Sequence, residues 1–333
     1  MDAHQFDDLR RQYVDLAQPR LGSEAVFATD DFFADKARLI DPAPPVFIPG
    51  KYDDNGKWMD GWESRRKRVP GHDWCVVKLG VPGVVAGFEI DTAHFTGNYP
   101  LGAEIEVCVS HAHTPGDDAG WVKVTPRLDL KGDDRIYLPV EHATAVTHIR
   151  LHIFPDGGVA RLRVWGRVDP DWSIVGREQV IDLLAAAWGG RGIIANDEHY
   201  GAVGNLTAPG RGVNMGDGWE TRRRREPGHD WSVLALGAFG KVEEIIVDTA
   251  HFKGNYPDRC SIQASARAHG TPAEIATQAE GWPVLLPEVK LEADHIHTFK
   301  GELAAMGPIR FVRLNIFPDG GVSRLRIMGT VVR

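Results

Sequence analysis

Two runs of polar residues far apart in the chain repeat almost letter for letter. Residues 60–74 read DGWESRRKRVPGHDW and residues 217–231 read DGWETRRRREPGHDW, identical at 12 of 15 positions. Each run sets a glutamate (Glu63, Glu220) just ahead of an arginine pair, Arg65 and Arg66 in the first and Arg222 and Arg223 in the second. A guanidinium fork pairs bidentately with a carboxylate, so this pattern suits an anionic ligand. Each run then places a histidine and an aspartate, His72-Asp73 and His229-Asp230, after a Pro-Gly turn. An imidazole beside a carboxylate is equipped for acid–base work near neutral pH. The plain structural alternative is a solvated basic face, with the histidine or aspartate capping the turn and the tryptophan opening a buried strand.

A second block, DTAHFTGNYP at 91–100 and DTAHFKGNYP at 248–257, follows an apolar stretch. Its polar side chains therefore emerge where a strand gives way to a loop. Asp91, His94 and Asn98, with Asp248, His251 and Asn255, bring an acid, a base and an amide together, a mixture suited to a small, highly polar substrate. Asp and His alone are too few to define a metal centre. A third block, RLHIFPDGGVARLRVWG (150–166) and RLNIFPDGGVSRLRIMG (313–329), reads mainly as a glycine-rich turn between two strands. Its arginines stand near that turn as candidates of lower rank.

The elements that carry these blocks follow from the spacing of the copies. The offset is 167 where Asp15 matches Asp182, 157 at the DGWE block and 163 at the PDGG block. The first copy thus has ten extra residues, in the Pro-rich stretch 41–57, and the second gains six between Ala266 and Gly307. Length changes mark those segments as loops. The unit is one domain long, giving two tandem homologous domains over 1–168 and 172–333. Segments such as WCVVKLG (74–80), GVVAGFEIDT (83–92), AEIEVCVS (103–110), THIRLHIF (147–154) and ARLRVWGRV (160–168) read as short strands bounded by turn residues. In the last of these, Leu162 and Val164 alternate with Arg161 and Arg163, the period of a half-buried strand. The fold class is all-β, an antiparallel sandwich or jelly roll in each copy, with few helices. The clearest helix candidate is 176–188, with Val180, Leu183, Leu184 and Ala187 at helical spacing and Gly189-Gly190 as its stop; 6–17 has similar character.

The 333 residues carry a net charge of −8, with 43% apolar and 25% charged residues, an ordinary globular balance. The acidic excess disfavours a nucleic-acid partner, and no stretch has the length of apolar sequence that a membrane span needs. The charged N-terminus does not read as a signal peptide, which leaves the cytoplasm as the expected location. Cys75, Cys108 and Cys260 fall opposite Ser232, Ser265 and Ala103, so no cysteine belongs to the duplicated pattern and no disulfide framework is expected. Phosphate-cradling glycine loops, nucleophile elbows and His-Glu-x-x-His strings are absent. The sequence requires no cofactor and leaves a divalent cation open.

The blocks DGWE[ST]RR, PGHDW, DTAHF-x-GNYP and IFPDGGV[AS]RLR, with TDDFF (29–33) and NDEHYG (196–201), resemble the allantoicase (allantoate amidinohydrolase) family over essentially the whole chain. The resemblance implies two galactose-binding-like jelly rolls, assembly into a homo-oligomer, and hydrolysis of a small molecule, allantoate, to ureidoglycolate and urea in purine breakdown. Allantoate carries one carboxylate and two ureido groups on one carbon. Arg222 and Arg223, or Arg65 and Arg66, are expected to hold its carboxylate, with Glu220 and Asn255, or Glu63 and Asn98, reading ureido groups. His251 or His229 is the expected acid–base group, with Asp248 fixing its tautomer, and His94 and Asp91 are the first-copy equivalents. Glu198 and His199, the latter opposite Phe32, give the second copy an acid and base that the first lacks, which favours the C-terminal domain; a site shared between the two domains stays open. A glycan-binding sandwich module and a related ureido hydrolase are the competing readings.

Overall fold

The computed structural model describes residues 13–333. The chain forms two compact units, Met1–Asp169 and Pro170–Arg333. Each is built around one long strand, Asp73–Asp91 in the first and Asp230–Asp248 in the second.

The sequence reads as two strands where the structure has one. The first part of Asp73–Asp91 pairs with Ala145–Phe154 and Glu24–Ala28, and its last part pairs with Arg161–Val168 and Arg135–Pro139. One strand therefore serves both layers of the sandwich, and the register shift against Ala145–Phe154, between Lys78 and Gly83, marks where it turns the corner. The second unit repeats the arrangement: Asp230–Asp248 pairs with Ile309–Phe317 and Arg191–Ala195 early, and with Arg324–Val331 and Ile296–Phe299 late. The corner needs glycine because another backbone passes close by. A Cβ on Gly80 would lie 2.0 Å from the Leu21 carbonyl oxygen, and one on Gly237 would lie 1.9 Å from that of Trp188.

Alternating apolar side chains of both layers fill each core. In the first unit Phe88, Ile90, Ile149, Leu151, Leu162 and Val164 are sealed from solvent, and Ile245, Val247, Leu314, Leu325 and Ile327 are equally buried in the second. Burying such side chains contributes about 1.5–3 kcal/mol each. The three cysteines are free and buried. Burial pushes the thiol of Cys108 up to about 11 and that of Cys260 up to about 12.

The helix expected over 176–188 does not form. Ile181–Asp182 instead pairs with Met328 and Gly329 as an edge strand, and a 3-10 turn spans Ala186–Trp188. The Asp182 carboxylate accepts the N–H groups of Leu184 and Ile327, tying the segment to the last strand, and Val180 is exposed. Tertiary pairing has overridden a helical spacing. Asp15 repeats the arrangement in the first unit, beside the strand Val14–Asp15; residues 6–12 of the other helical candidate lie outside the described residues. The segments expected to be plain loops also carry structure. Within 41–57, Tyr52–Asp53 pairs with Gly56–Lys57 in a hairpin. The stretch from Ala266 to Gly307 includes two strands and the α-helix Pro272–Ala279. That helix opens on a capping box in which Thr271 and Glu274 bond reciprocally, with Pro272 in its first turn.

Candidate active site

The arginines and aspartates of the repeated blocks first build the frame. Trp62 and Trp219 are fully buried, and their indole N–H groups donate to the carbonyls of Asp30 and Asp197. Arg161 and Arg324, expected on a strand's outer face, are buried as well. Each reaches back to the DGWE loop, where Arg161 pairs with Asp60 and Arg324 with Asp217, both at 2.9 Å. The long guanidinium thus converts a strand residue into an anchor for the loop that carries the glutamate.

The glutamate sits on a two-residue strand held from both sides. Trp219–Glu220 pairs with Gly321–Val322, and Glu220 forms an isolated bridge with Gly201; Trp62–Glu63 pairs with Gly158–Val159, and Glu63 bridges to Ala34. The PDGG turn closes against the same place. Gly320 has φ 135° and a Cβ there would lie 2.6 Å from the Asn255 carbonyl oxygen, so only glycine fits; Gly157 stands likewise at φ 133°, 2.7 Å from that of Asn98. The Asp319 carboxylate accepts the Arg224 N–H at 2.8 Å, and Thr221 exchanges two hydrogen bonds with Gly320. Asp156 holds the Lys67 N–H in the same way.

In the second unit these parts enclose a cleft of about 350 Å³, lined by Glu220, Arg223, Asn255 and Asp319 with Tyr200, Tyr256 and Asp258. Asn255 Nδ2 donates to Glu220 Oε1 at 2.5 Å, and Asn98 donates to Glu63 Oε1 at 2.7 Å. The structure thus brings together three expected residues, Glu220, Asn255 and Arg223, and their first-unit counterparts Glu63 and Asn98.

The arginine pair is divided. Arg222 forms an ion pair with Asp197 at 2.8 Å and Arg65 one with Asp30 at 2.6 Å, so neither holds a free fork. Burial of Asp197 works against its charge, but N–H groups of Arg222 and His199 and the Arg222 guanidinium hold its carboxyl below the usual range. Arg224 pairs with Asp230, and Lys67 with Asp73. Arg223 and Arg66 make no hydrogen bond or ion pair with a described residue, and both are exposed. The chain supplies one free guanidinium at each site where a pair was expected.

The expected histidines are elsewhere. His251 and His94 occupy left-handed backbone at φ 71° and 69°. Their N–H groups donate to Asp294 and Asp133, and their rings contact the carbonyls of Gly212 and Pro45. Asp248 accepts the Ala250 N–H and pairs with Arg211, while Asp91 accepts the Ala93 N–H and pairs with Arg135. Asp248 therefore orients the chain and the Arg211 side chain, and the tautomer role assigned to it beside His251 is corrected. His229 is half-buried, with Nε2 3.2 Å from Asn315 Oδ1 and its ring 4.7 Å from that of Phe317. Glu198 accepts the Val203 N–H at 2.6 Å, and His199 is an exposed ring set edge-on to Tyr200. None of these residues lines the cleft.

Residues the spacing did not single out complete it. Tyr200 faces the cleft where the first copy has Phe33, and Asp258 stands opposite Leu101. The exchange of Phe33 for Tyr200 is the same kind of difference between copies that singles out His199. Asp319 lay hidden in a turn that glycine alone explains. The first unit's site is more covered: Glu63 is 9% exposed and Lys57 of the inserted hairpin bears on it. Burial pushes the Glu63 carboxyl above its ordinary value, against the Asn98 hydrogen bond and the Lys57 charge.

A duplicated jelly roll carrying an acid, an amide and an open guanidinium at one loop cluster of each copy defines a tandem β-sandwich enzyme for small polar molecules. The comparisons with known proteins narrow that class. The model of the allantoicase repeat matches residues 14–169 and 181–332. The chain is 57% identical over 319 residues to a probable allantoicase 2 of Burkholderia pseudomallei, covering 96% of this chain and 95% of that one. It is 53% identical over 324 residues to a probable allantoicase of Ralstonia nicotianae, covering 97% and 96%. The crystal structure of allantoicase from Saccharomyces cerevisiae superposes with a TM-score of 0.82 at 34% identity, covering 99% of this chain and 98% of that one. The chain belongs to the allantoicase family and is a hydrolase. Among the described residues, no helix is long and apolar enough to cross a membrane.

Proposed function

We propose that the chain hydrolyses allantoate to ureidoglycolate and urea, and that the cleft of the second unit is where it does so. The observation that carries this reading is the pairing of an uncommitted cation with a half-committed acid: Arg223 is free in the cleft, and Glu220 has one carboxylate oxygen held by Asn255. The other oxygen of Glu220 accepts no hydrogen bond from a described residue. Arg223 takes the substrate carboxylate through its planar fork. Asn255, with the Tyr200 hydroxyl, reads ureido N–H and C=O groups.

The reaction breaks the bond between the central carbon and one ureido nitrogen. Water supplies a hydroxyl to that carbon and a proton to the departing nitrogen, so the products are ureidoglycolate and urea. We assign the transfer of that proton to Glu220, which lines the cleft with one carboxylate oxygen held by Asn255 and the other accepting no hydrogen bond from a described residue. Its neighbour Asp319 is fixed by the Arg224 N–H and shapes the wall.

Urea release from allantoate by purified protein, set against ureidoglycolate and allantoin, tests the reading. Turnover of either of the latter with none of allantoate overturns it in favour of a related ureido hydrolase. Binding of simple glycans with no turnover of any of the three favours a binding module.

A further inference from the structure

We propose that the first unit binds a divalent transition-metal ion, of which Zn²⁺ is the test case, through Glu104, Glu106 and His152, with His72 as the residue that orients His152. The proposal goes beyond the reading of the cleft, which involves none of these residues. Glu104 and Glu106 lie on Gly102–Cys108, and His152 on the neighbouring strand Ala145–Phe154, directly across from Glu104. All three point away from the apolar core, on the face opposite Leu151 and Ile153. Their donor atoms lie within 4.8 Å of one another. Carboxylate oxygens and imidazole nitrogen bind zinc at about 2.0–2.2 Å, and three protein ligands leave a fourth position open.

The imidazole is held as a ligand must be. His152 Nε2 lies 2.9 Å from Glu106 Oε2, and His152 Nδ1 lies 2.9 Å from His72 Nε2. A metal at Nε2 takes the place of the proton shared with Glu106, and the bond to His72 fixes the ring from its other nitrogen, the position that an outer partner of a ligating histidine occupies. Arg150 pairs with Glu106 at 2.6 Å and Lys123 with Glu104 at 2.8 Å. These cations compete with the ion. Arg150 is also held by Asp117 at 2.7 Å and lies over the Trp121 ring, so it keeps partners when Glu106 pivots.

The second unit is an internal control. At the same register it carries Ser261, Gln263 and Asn315 in place of Glu104, Glu106 and His152. These three uncharged side chains are joined by hydrogen bonds, with Asn315 Nδ2 donating to Ser261 Oγ and Gln263 Oε1, and Asn315 Oδ1 accepting from the Arg313 guanidinium. The fold is built without ligands at these positions, so it does not demand two carboxylates and an imidazole in the first unit.

The test is Zn²⁺ titration by calorimetry of the full chain after chelator treatment and desalting, with Co²⁺ absorption as a second probe. One equivalent of saturable binding is expected. His152→Asn, Glu104→Ser and Glu106→Gln each install the residue that the second unit already accommodates, and each should weaken binding at least tenfold and remove the Co²⁺ spectrum. His72→Gln should weaken it about 10–100-fold, the range for outer-shell partners, and His229→Gln should change nothing. Absence of one-equivalent binding, or binding undiminished in His152→Asn and Glu106→Gln, overturns the proposal. Circular dichroism and thermal unfolding of each variant in chelator separate loss of ligand from loss of fold, and where one variant unfolds the other two decide.

Discussion

Asn255 donates a hydrogen bond to Glu220 across 35 positions of chain, and Asn98 makes the same bond to Glu63 across the same span. The bond joins the DGWE strand to the GNYP loop in both units, so the duplicated polar blocks are two halves of one construction. What differs is the surroundings. Tyr200, Asp258 and an uncovered Glu220 mark the second unit, while Phe33, Leu101 and the inserted hairpin mark the first.

Glu220→Gln should lower turnover of allantoate at least a hundredfold, because the amide keeps the shape and the Asn255 contact but cannot carry the proton. Glu63→Gln should leave it within a few-fold of the parent chain. Urea release under saturating substrate decides it, and equal partial losses would instead mean two working sites.

Arg223→Ala should lower kcat/KM about 10–100-fold, since hydrogen bonds to charged groups contribute about 1.5–3 kcal/mol. Arg222→Ala, which frees Asp197 and touches no cleft wall, should have a small effect. Initial rates over a range of allantoate concentrations distinguish the two, and a larger loss from Arg222→Ala would reverse their roles.

Tyr200→Phe installs the first copy's residue in the second copy's cleft. Removing one neutral hydrogen bond to substrate should lower kcat/KM about threefold to tenfold. The reciprocal Phe33→Tyr should leave the rate unchanged, as kinetics of both variants would show.

Arg324→Met removes the buried guanidinium that offsets the Asp217 charge. Breaking such a pair costs about 3–5 kcal/mol, so the unfolding midpoint of the second unit in urea should fall sharply. Replacing both Arg324 and Asp217 by apolar residues should recover much of that loss.

Glu63 supplies a pH test of stability. Its carboxyl titrates above the ordinary 4.5 in the folded chain, so the folded state holds the proton more tightly than the unfolded one. That contribution is complete below the unfolded value and is lost as pH rises through the folded one. The thermal midpoint of Glu63→Gln relative to the parent should therefore rise between pH 4 and pH 7. A flat difference across that interval would show that burial does not raise this carboxyl.

The Glu, Asn and Arg of the cleft were legible because a copied polar residue stands out in a duplicated chain. The histidines stand apart from the cleft for a physical reason: His251 and His94 occupy left-handed corners, and a positive φ outside glycine is a backbone property that residue type does not announce. Asp319 was masked by the glycines beside it, which explain the turn without revealing that its acid also holds the Arg224 N–H. The stretch 176–188 shows the limit of periodicity, since Ile181, Leu183 and Leu184 bury themselves by pairing beside the last strand and then turning. Helix Pro272–Ala279 lies in a stretch where length alone suggested a loop, although Thr271 and Glu274 already spelled its cap.

The corner-turning strand sets how each unit comes apart. Because Asp73–Asp91 holds partners in both layers, neither layer can peel away while the other stays intact. Hydrogen-exchange protection of the two layers is therefore expected to be lost together, as one cooperative unit. Cleavage at the Gly80-Val81-Pro82-Gly83 bend would remove the covalent tie between the two layers of the first unit, and cleavage within residues 237–240 would do the same in the second.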